Sequence, residues 1–264
     1  MRLKDKIAIV VGGGQQPGET MGNGRAVSMR FAQEGAQVLV VDRELGLAED
    51  TVAMIAKEGG SATALGADIT DEAQCKAIAD IAMQRYGRID VLHNNVGRSK
   101  GDRPVVDMEA DMWDELMAMN LKGMFMTCKH VLRIMQQQRS GVILNISSIS
   151  SICDGQTVTY KTSKGAVNTL THRIAMENAE YGIRANAILP GLMDTPMAIV
   201  RRAQERGGDP EVIRAERNAK VPLNQQMGTA WDVANAAVFL ASDEAQDITA
   251  VELPVDGGMS SRIG

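Results

Sequence analysis

Tyr160 and Lys164 stand four residues apart in the run NISSISSICDGQTVTYKTSK, from Asn145 to Lys164. On a helix that spacing is about 400°, so a phenol and an ammonium come to lie one turn apart on the same face. Such a pair can make a base of a tyrosine. A phenol has a pKa near 10, and half-ionising it around pH 7.5 costs about 3.4 kcal/mol. One positive charge about 4 Å away, at the effective dielectric of most protein sites, supplies on the order of 4 kcal/mol. Ser147 and Ser148, where the apolar strand Gly141 to Ile146 ends, would set a neutral hydroxyl donor beside the phenol, suited to the oxygen of an alcohol or ketone. A site of this kind moves a proton but has no acceptor for a hydride. The same residues have an ordinary reading too: Tyr and Lys recur at this spacing by chance, and serines end strands because they satisfy loose backbone groups.

The elements that would position these side chains supply the acceptor. Lys6 to Val11 is a short apolar run, and Gly24 to Glu34 has helical periodicity closed by Gly35. Between them lie Gly12-Gly13-Gly14, then QQPGETM, then Gly22-Asn23-Gly24. A strand, a glycine turn and a helix N-terminus make an anion cradle, because bare N–H groups and the positive end of the helix dipole face the phosphates. Gln37 to Val41 predicts a second strand. It ends in Asp42, eighteen residues after Gly24, where a dinucleotide fold sets a carboxylate on the adenosine ribose. A carboxylate there accepts from both ribose hydroxyls and repels a 2′-phosphate, which argues for NAD over NADP. Arg43 follows and could hold a phosphate, but it stands one residue late. The competing possibility is that the QQPGET segment reshapes the loop so that Asp42 never reaches the ribose.

The alternation continues along the chain. Helix Leu45 to Lys57, strand Ala62 to Ala67 with Asp68-Ile69 at its end, helix Asp71 to Tyr86, and strand Ile89 to His93 ending in Asn94-Asn95-Val96-Gly97 follow in turn. A helix from about Asp111 to Gln137 contains Asn120. Strand Val142 to Ile146, the helix carrying Tyr160 and Lys164 that runs to about Ala179, and strand Arg184 to Leu189 ending in Pro190-Gly191 come next. An irregular, charged region from Leu192 to Gln226 precedes a last helix (Thr229 to Leu240) and strand (Thr249 to Val255). Strands that end in small or polar residues suit a ligand lying across the carboxyl ends of a parallel sheet. The expected fold is therefore α/β: a Rossmann-like, doubly wound parallel sheet with helices on both faces, in a single domain spanning 1–264, with a substrate lid at about 192–226.

These residues together resemble the short-chain dehydrogenase/reductase family in its compact, classical form. The matches are GxG at Gly22 to Gly24 with an upstream Gly12, Asp42, Asp68, NNxG at Asn94 to Gly97, NLxGxF at Asn120 to Phe125, NISS at Asn145 to Ser148, YxxxK at Tyr160 to Lys164, Pro190-Gly191 with Thr195 following, and VDGG at Val255 to Gly258. Carried over residue by residue, the resemblance implies that Tyr160 is the acid/base, that Lys164 lowers its pKa and meets the nicotinamide ribose, that Ser148 donates to the substrate oxygen, and that Asn120 holds a water linking Lys164 to solvent. It implies NAD contacts from Gly12, Asn23, Gly24, Asp42, Asp68, Ile69, Asn94, Val96, Gly97, Tyr160, Lys164, Pro190, Gly191 and Thr195. Ser148 is the second serine of NISS, as in the family, but Ser147 has the family's commoner spacing to the tyrosine, so the choice between them stays open. Two departures stand out: Val11 replaces a threonine, and Gly12 and Gly22 lie six residues farther apart than usual.

The implied activity is an NAD-dependent oxidoreductase that interconverts a secondary alcohol and a ketone. The alternative from another class is a catalytically silent nucleotide-binding sensor or scaffold, against which the intact Tyr160 and Lys164 speak. Hydrolysis by a serine nucleophile lacks a GxSxG elbow. Composition narrows the partners: a net charge of -5 and a pI near 5.3 leave no basic footprint for nucleic acid or an anionic membrane. No apolar run reaches the roughly 20 residues of a membrane span, and the N-terminus has no signal-peptide pattern, so a cytoplasmic location is expected. Three separated cysteines and three histidines show no disulfide or metal-ligand spacing, so no metal is expected. Cys153 reads either as a reactive thiol or as an inert one. Met193, Met197 and Ile199 would line the lid's inner face or simply pack it down. Arg201, Arg202, Arg206, Arg214 and Arg217 would meet an anionic substrate or, interleaved with Glu205, Glu211 and Glu216, form a solvated face. A homotetramer is expected, because the helices around Asp111 to Gln137 and Thr157 to Ala179 carry more apolar positions than one sheet face covers, and the family pairs such helices across a two-fold axis.

Overall fold

The run Ile7–Val11 (β1) is buried at every position, as a strand covered on both faces must be. In the computed structural model, which describes residues 1–153 and 157–262, β1 pairs in parallel with Gln37–Asp42 (β2) on one side and Val91–Asn94 (β4) on the other. Ser61–Gly66 (β3), Gly141–Ile146 (β5), Ile183–Pro190 (β6) and Glu252–Val255 (β9) complete a sheet of order β3-β2-β1-β4-β5-β6-β9, parallel throughout. The chain winds outward in one direction from β1 and in the other from β4. Their carboxyl ends therefore border the crevice where such sheets take ligands.

Side chains alternate along the strands and divide the core in two. Ala8, Val10, Val38 and Val40 pack with helices Asn23–Gln33 (α1), Leu45–Lys57 (α2) and Ala230–Ala241 (α9). Ile9, Val11, Leu39 and Val41 pack with Glu72–Tyr86 (α3), Gly123–Gln138 (α5) and Val158–Asn178 (α6). Local signals set the ends. Asp71 caps α3 by accepting from the Ala73 amide at 2.8 Å, and Gly87 closes it at φ 76°.

Three sequence expectations need correction. The helix expected from Asp111 to Gln137 is Ala110–Met117 (α4), a π turn at Ala118–Lys122, and α5. The region expected to be irregular, 192–226, carries a short strand Met193–Asp194 (β7) paired with Gly228–Thr229 (β8), and two helices, Val200–Arg206 (α7) and Pro210–Asn218 (α8). Gly207, at φ 61°, stops α7, and Asp209 with Pro210 at the first helical position starts α8. The last strand starts at Glu252 rather than Thr249, because Ala250 takes φ 60° and breaks the extended run. Among the described residues no helix is long and apolar enough to cross a membrane.

Candidate active site

Where β5 ends, the two serines part company. The Ser147 hydroxyl is buried and donates to the Lys164 carbonyl at 3.0 Å, tying the strand to α6. Ser148, in extended backbone, turns the other way: its hydroxyl donates to Ser150 Oγ at 3.2 Å and accepts from the Ser150 amide at 3.1 Å, and it acts on the Tyr160 phenol, opposing the rise in its pKa. Only Ser148 is thus turned toward the phenol.

Lys164 is 1% exposed, and its ammonium donates to the Ile146 carbonyl at 2.6 Å. It lies 5.7 Å from the centre of the Tyr160 ring. Burial pushes its pKa down to about 8. Burial also holds the Tyr160 phenol above its ordinary value, opposed by the Ser148 hydroxyl and then by the charges of Arg202 and Arg201. The spacing argument made Lys164 the cation that lowers the phenol. Here its ammonium is anchored by the strand carbonyl beside the phenol ring, and Arg202 and Arg201 of α7 also act on Tyr160.

The π turn explains the placing of Asn120. One extra residue in the turn shifts the helix register and drives this side chain inward. It is fully buried, accepts from the Arg98 amide at 2.9 Å, and donates to the Arg98 carbonyl at 2.9 Å and to Ser163 Oγ at 3.2 Å. Gly97 sits between Asn120 and Lys164, where a Cβ would come within 2.9 Å of Lys164 Nζ and 3.5 Å of Asn120 Oδ1. Asn120 therefore braces the loop after β4 against α6.

The dinucleotide side is built around glycines that admit no Cβ. On Gly24 it would lie 1.9 Å from the Gly12 carbonyl oxygen, and on Gly14 2.7 Å from Asp42 Oδ2. Gly12 takes φ 79°, with Val96 against it. The Asn23 side-chain oxygen at the start of α1 is buried without a partner. Asp42 accepts from the Gly14 amide at 3.0 Å and the Glu44 amide at 3.2 Å, and burial still pushes its carboxyl above the usual range. A bare glycine turn, an uncapped helix N-terminus and a carboxylate wanting further donors fit a dinucleotide. Asp68 folds back on Thr70, accepting from its amide at 2.9 Å, and Ile69 is buried against Gly123. Gly191, after Pro190 at the end of β6, lies against Asp256, and Thr195 is buried at the turn before α7. Asn94 does not join this group. Its side chain lies under the sheet, donating to Asn145 at 2.9 Å and accepting from Thr127 at 2.8 Å, and it is Asn95 that donates to the Gly12 carbonyl at 3.1 Å.

Sequence reasoning missed two residues here. Asp102 accepts from the amides of Thr159 at 3.1 Å and Tyr160 at 2.7 Å, and so caps α6 from a distant loop. No local pattern announces a cap supplied from 57 residues away. Gln15 donates to the Thr20 carbonyl at 3.0 Å and accepts from the Gly22 amide at 2.6 Å, pinching the inserted segment into a closed loop. The insertion therefore leaves the glycine turn and Asp42 side by side.

A family model described as Enoyl-(Acyl carrier protein) reductase matches residues 18–260. Levodione reductase of Leifsonia aquatica is 36% identical over 265 residues, covering 98% of this chain and 96% of its own. The chain belongs to the short-chain dehydrogenase/reductase family. Another relative in this family of oxidoreductases, 2-(S)-hydroxypropyl-CoM dehydrogenase 3 of Xanthobacter autotrophicus, is 35% identical over 261 residues and is covered, like this chain, to 98%. A Burkholderia xenovorans protein described as a short-chain dehydrogenase/reductase superposes with a TM-score of 0.94 at 40% identity, over 100% of this chain and 99% of that one. The family's enzymes use a nicotinamide dinucleotide, NAD or NADP.

Proposed function

We propose that the chain is an NAD-dependent dehydrogenase/reductase interconverting a secondary alcohol and its ketone. The observation that carries the reading is the gathering of Ser148, Tyr160 and buried Lys164 at the carboxyl end of β5, with the ammonium 5.7 Å from the phenol ring and the Ser148 hydroxyl acting on the phenol. A bound nicotinamide supplies the hydride acceptor or donor. In the oxidising direction the Tyr160 oxygen takes the hydroxyl proton, while Ser148 donates to the oxygen that becomes the carbonyl. Lys164, with Asn120 behind it, holds the loop after β4 and the end of β5 in place. Tyr160, Lys164, Ser148 and Asn120 are the residues assigned to this chemistry. The names of the relatives, a levodione reductase and a hydroxypropyl-CoM dehydrogenase, support the reaction class.

NAD rather than NADP follows from charge. Asp42 stands at the end of β2, and Glu44 is close enough to push its pKa up further. The inserted loop reaches over the same spot, with Gln16 donating to Glu44 at 3.1 Å. A 2′-phosphate there meets two carboxylates. Like-charge repulsion of on the order of 4 kcal/mol at about 4 Å, halved by solvent, still gives roughly thirtyfold in affinity. The expected outcome is a kcat/KM ratio of NAD to NADP of at least about tenfold, and Asp42→Ser shrinks it, with Arg43 then free to meet the phosphate. Equal use of both cofactors by wild type, unchanged by the substitution, would show that Asp42 does not read the ribose.

A further inference from the structure

The five arginines between Met193 and Gln226 are not alike. Arg201 lies 3.8 Å from Glu205, Arg206 lies 3.2 Å from Glu216, and Arg214 lies 2.8 Å from Asp194 with Glu211 on its other side. Arg202 and Arg217 have no carboxylate within 4.0 Å among the described residues. Both are drawn partly into the protein. The Arg202 Nε is enclosed without a hydrogen-bond partner, and the Arg217 Nε meets only the Met227 sulfur at 3.3 Å, a weak acceptor. Arg217 feels Arg202 as a like charge, and Arg202 feels Arg201 and Arg206. Burial and then Arg202 push Arg217 down to about 10, although arginine otherwise stays charged at any ordinary pH. Arg202 is also the first charge felt by the Tyr160 phenol. Two desolvated cations without carboxylate partners are left unsatisfied by the protein's own described groups, and an oxyanion placed between them satisfies both.

We infer that Arg202 and Arg217 form an anion subsite beside Tyr160, and that the substrate is a secondary alcohol or ketone that also carries a carboxylate, sulfonate or phosphate. This rests on the alcohol–ketone reading above. Guanidinium forks bind such groups through paired N–H donors, and a neutral analogue leaves them unpaired. The anionic group would then fix which carbinol carbon faces Tyr160.

The test uses a homologous series of hydroxy acids, from lactate to 5-hydroxyhexanoate, each against its methyl ester. Two readouts are taken: turnover with NAD, and binding to the enzyme–NADH complex followed by nicotinamide fluorescence. The expected result is that the best acid exceeds its ester about tenfold or more in both. In Arg202→Gln and in Arg217→Gln the preference collapses through KM for the acid, whereas Arg206→Gln, at a surface pair with Glu216, keeps the wild-type preference. Acid and ester bound equally would overturn the inference, even if both are oxidised and the alcohol–ketone reading stands. Acids bound tightly but never oxidised would support the subsite and count against that reading. A loss of NADH affinity in the two variants without loss of the acid preference would assign the cations to the cofactor's pyrophosphate and overturn the inference.

Discussion

At the scale of single residues, the two serines of NISS have different work. Ser147 is a buried donor to the Lys164 carbonyl, so Ser147→Ala removes one net hydrogen bond, about 1 kcal/mol of stability. Ser148 faces the phenol, so Ser148→Ala lowers kcat/KM by about a hundredfold or more, the size expected for an oxyanion donor. Thermal melts and kinetics of both variants check this pair of outcomes, and a catalytic loss in the Ser147 variant matching that in the Ser148 variant would reverse the assignment. The sequence could not separate them, since adjacent serines differ only in which way the chain turns after β5. The Tyr160–Lys164 pair was legible as a spacing. The anchoring of the ammonium was not, because a spacing does not reveal that the Ile146 carbonyl accepts from it.

At the scale of elements, strands and flanking helices were readable, because a sheet covered on both faces needs continuous apolar runs and its helices need a 3.6-residue stripe. Helix α2 has the bounds its periodicity predicts. Helices α7 and α8 were harder. They are only 7 and 9 residues long and pack chiefly through Ile199, Ala203 and Ile213, so too few positions carry the period. Helix α6 shows a dependence no window of sequence contains. Thr157 provides no side-chain cap, and Asp102 satisfies two of its N-terminal amides instead. Asp102→Ala is therefore expected to cost about 1–2 kcal/mol and to lower kcat more than it raises KM, because the freed turn carries Tyr160. Asp102→Asn, which keeps an acceptor, recovers part of both. Denaturant titration beside steady-state kinetics measures it, and an alanine variant with unchanged stability and kcat would remove Asp102 from the account.

At the scale of the molecule, α5 and α6 leave an apolar face unburied. Phe125 is 47% exposed and Met176 55%, and a groove of about 940 Å³ between the helices is lined by Met117, Leu121, Phe125 and Leu170 among others. An apolar face of this kind is suited to a second copy of itself across a two-fold axis. We expect a homotetramer, and Phe125→Glu, which sets like charges against each other across that axis, to reduce the assembly. Light scattering reads both, and a monomeric wild type at working concentration would refute it.

The claim on which the rest depends is that the Tyr160 oxygen carries the proton, and kcat/KM for alcohol oxidation with NAD, measured against pH in wild type and Tyr160→Phe, tests it most directly. Burial raises the phenol's pKa, so the active phenolate forms only as pH rises, and the wild-type rate climbs tenfold per pH unit on its acidic side. Tyr160→Phe keeps NAD binding, loses at least about a hundredfold in rate, and loses that climb. A phenylalanine variant that retained more than about a hundredth of the activity with the same pH dependence would contradict the account.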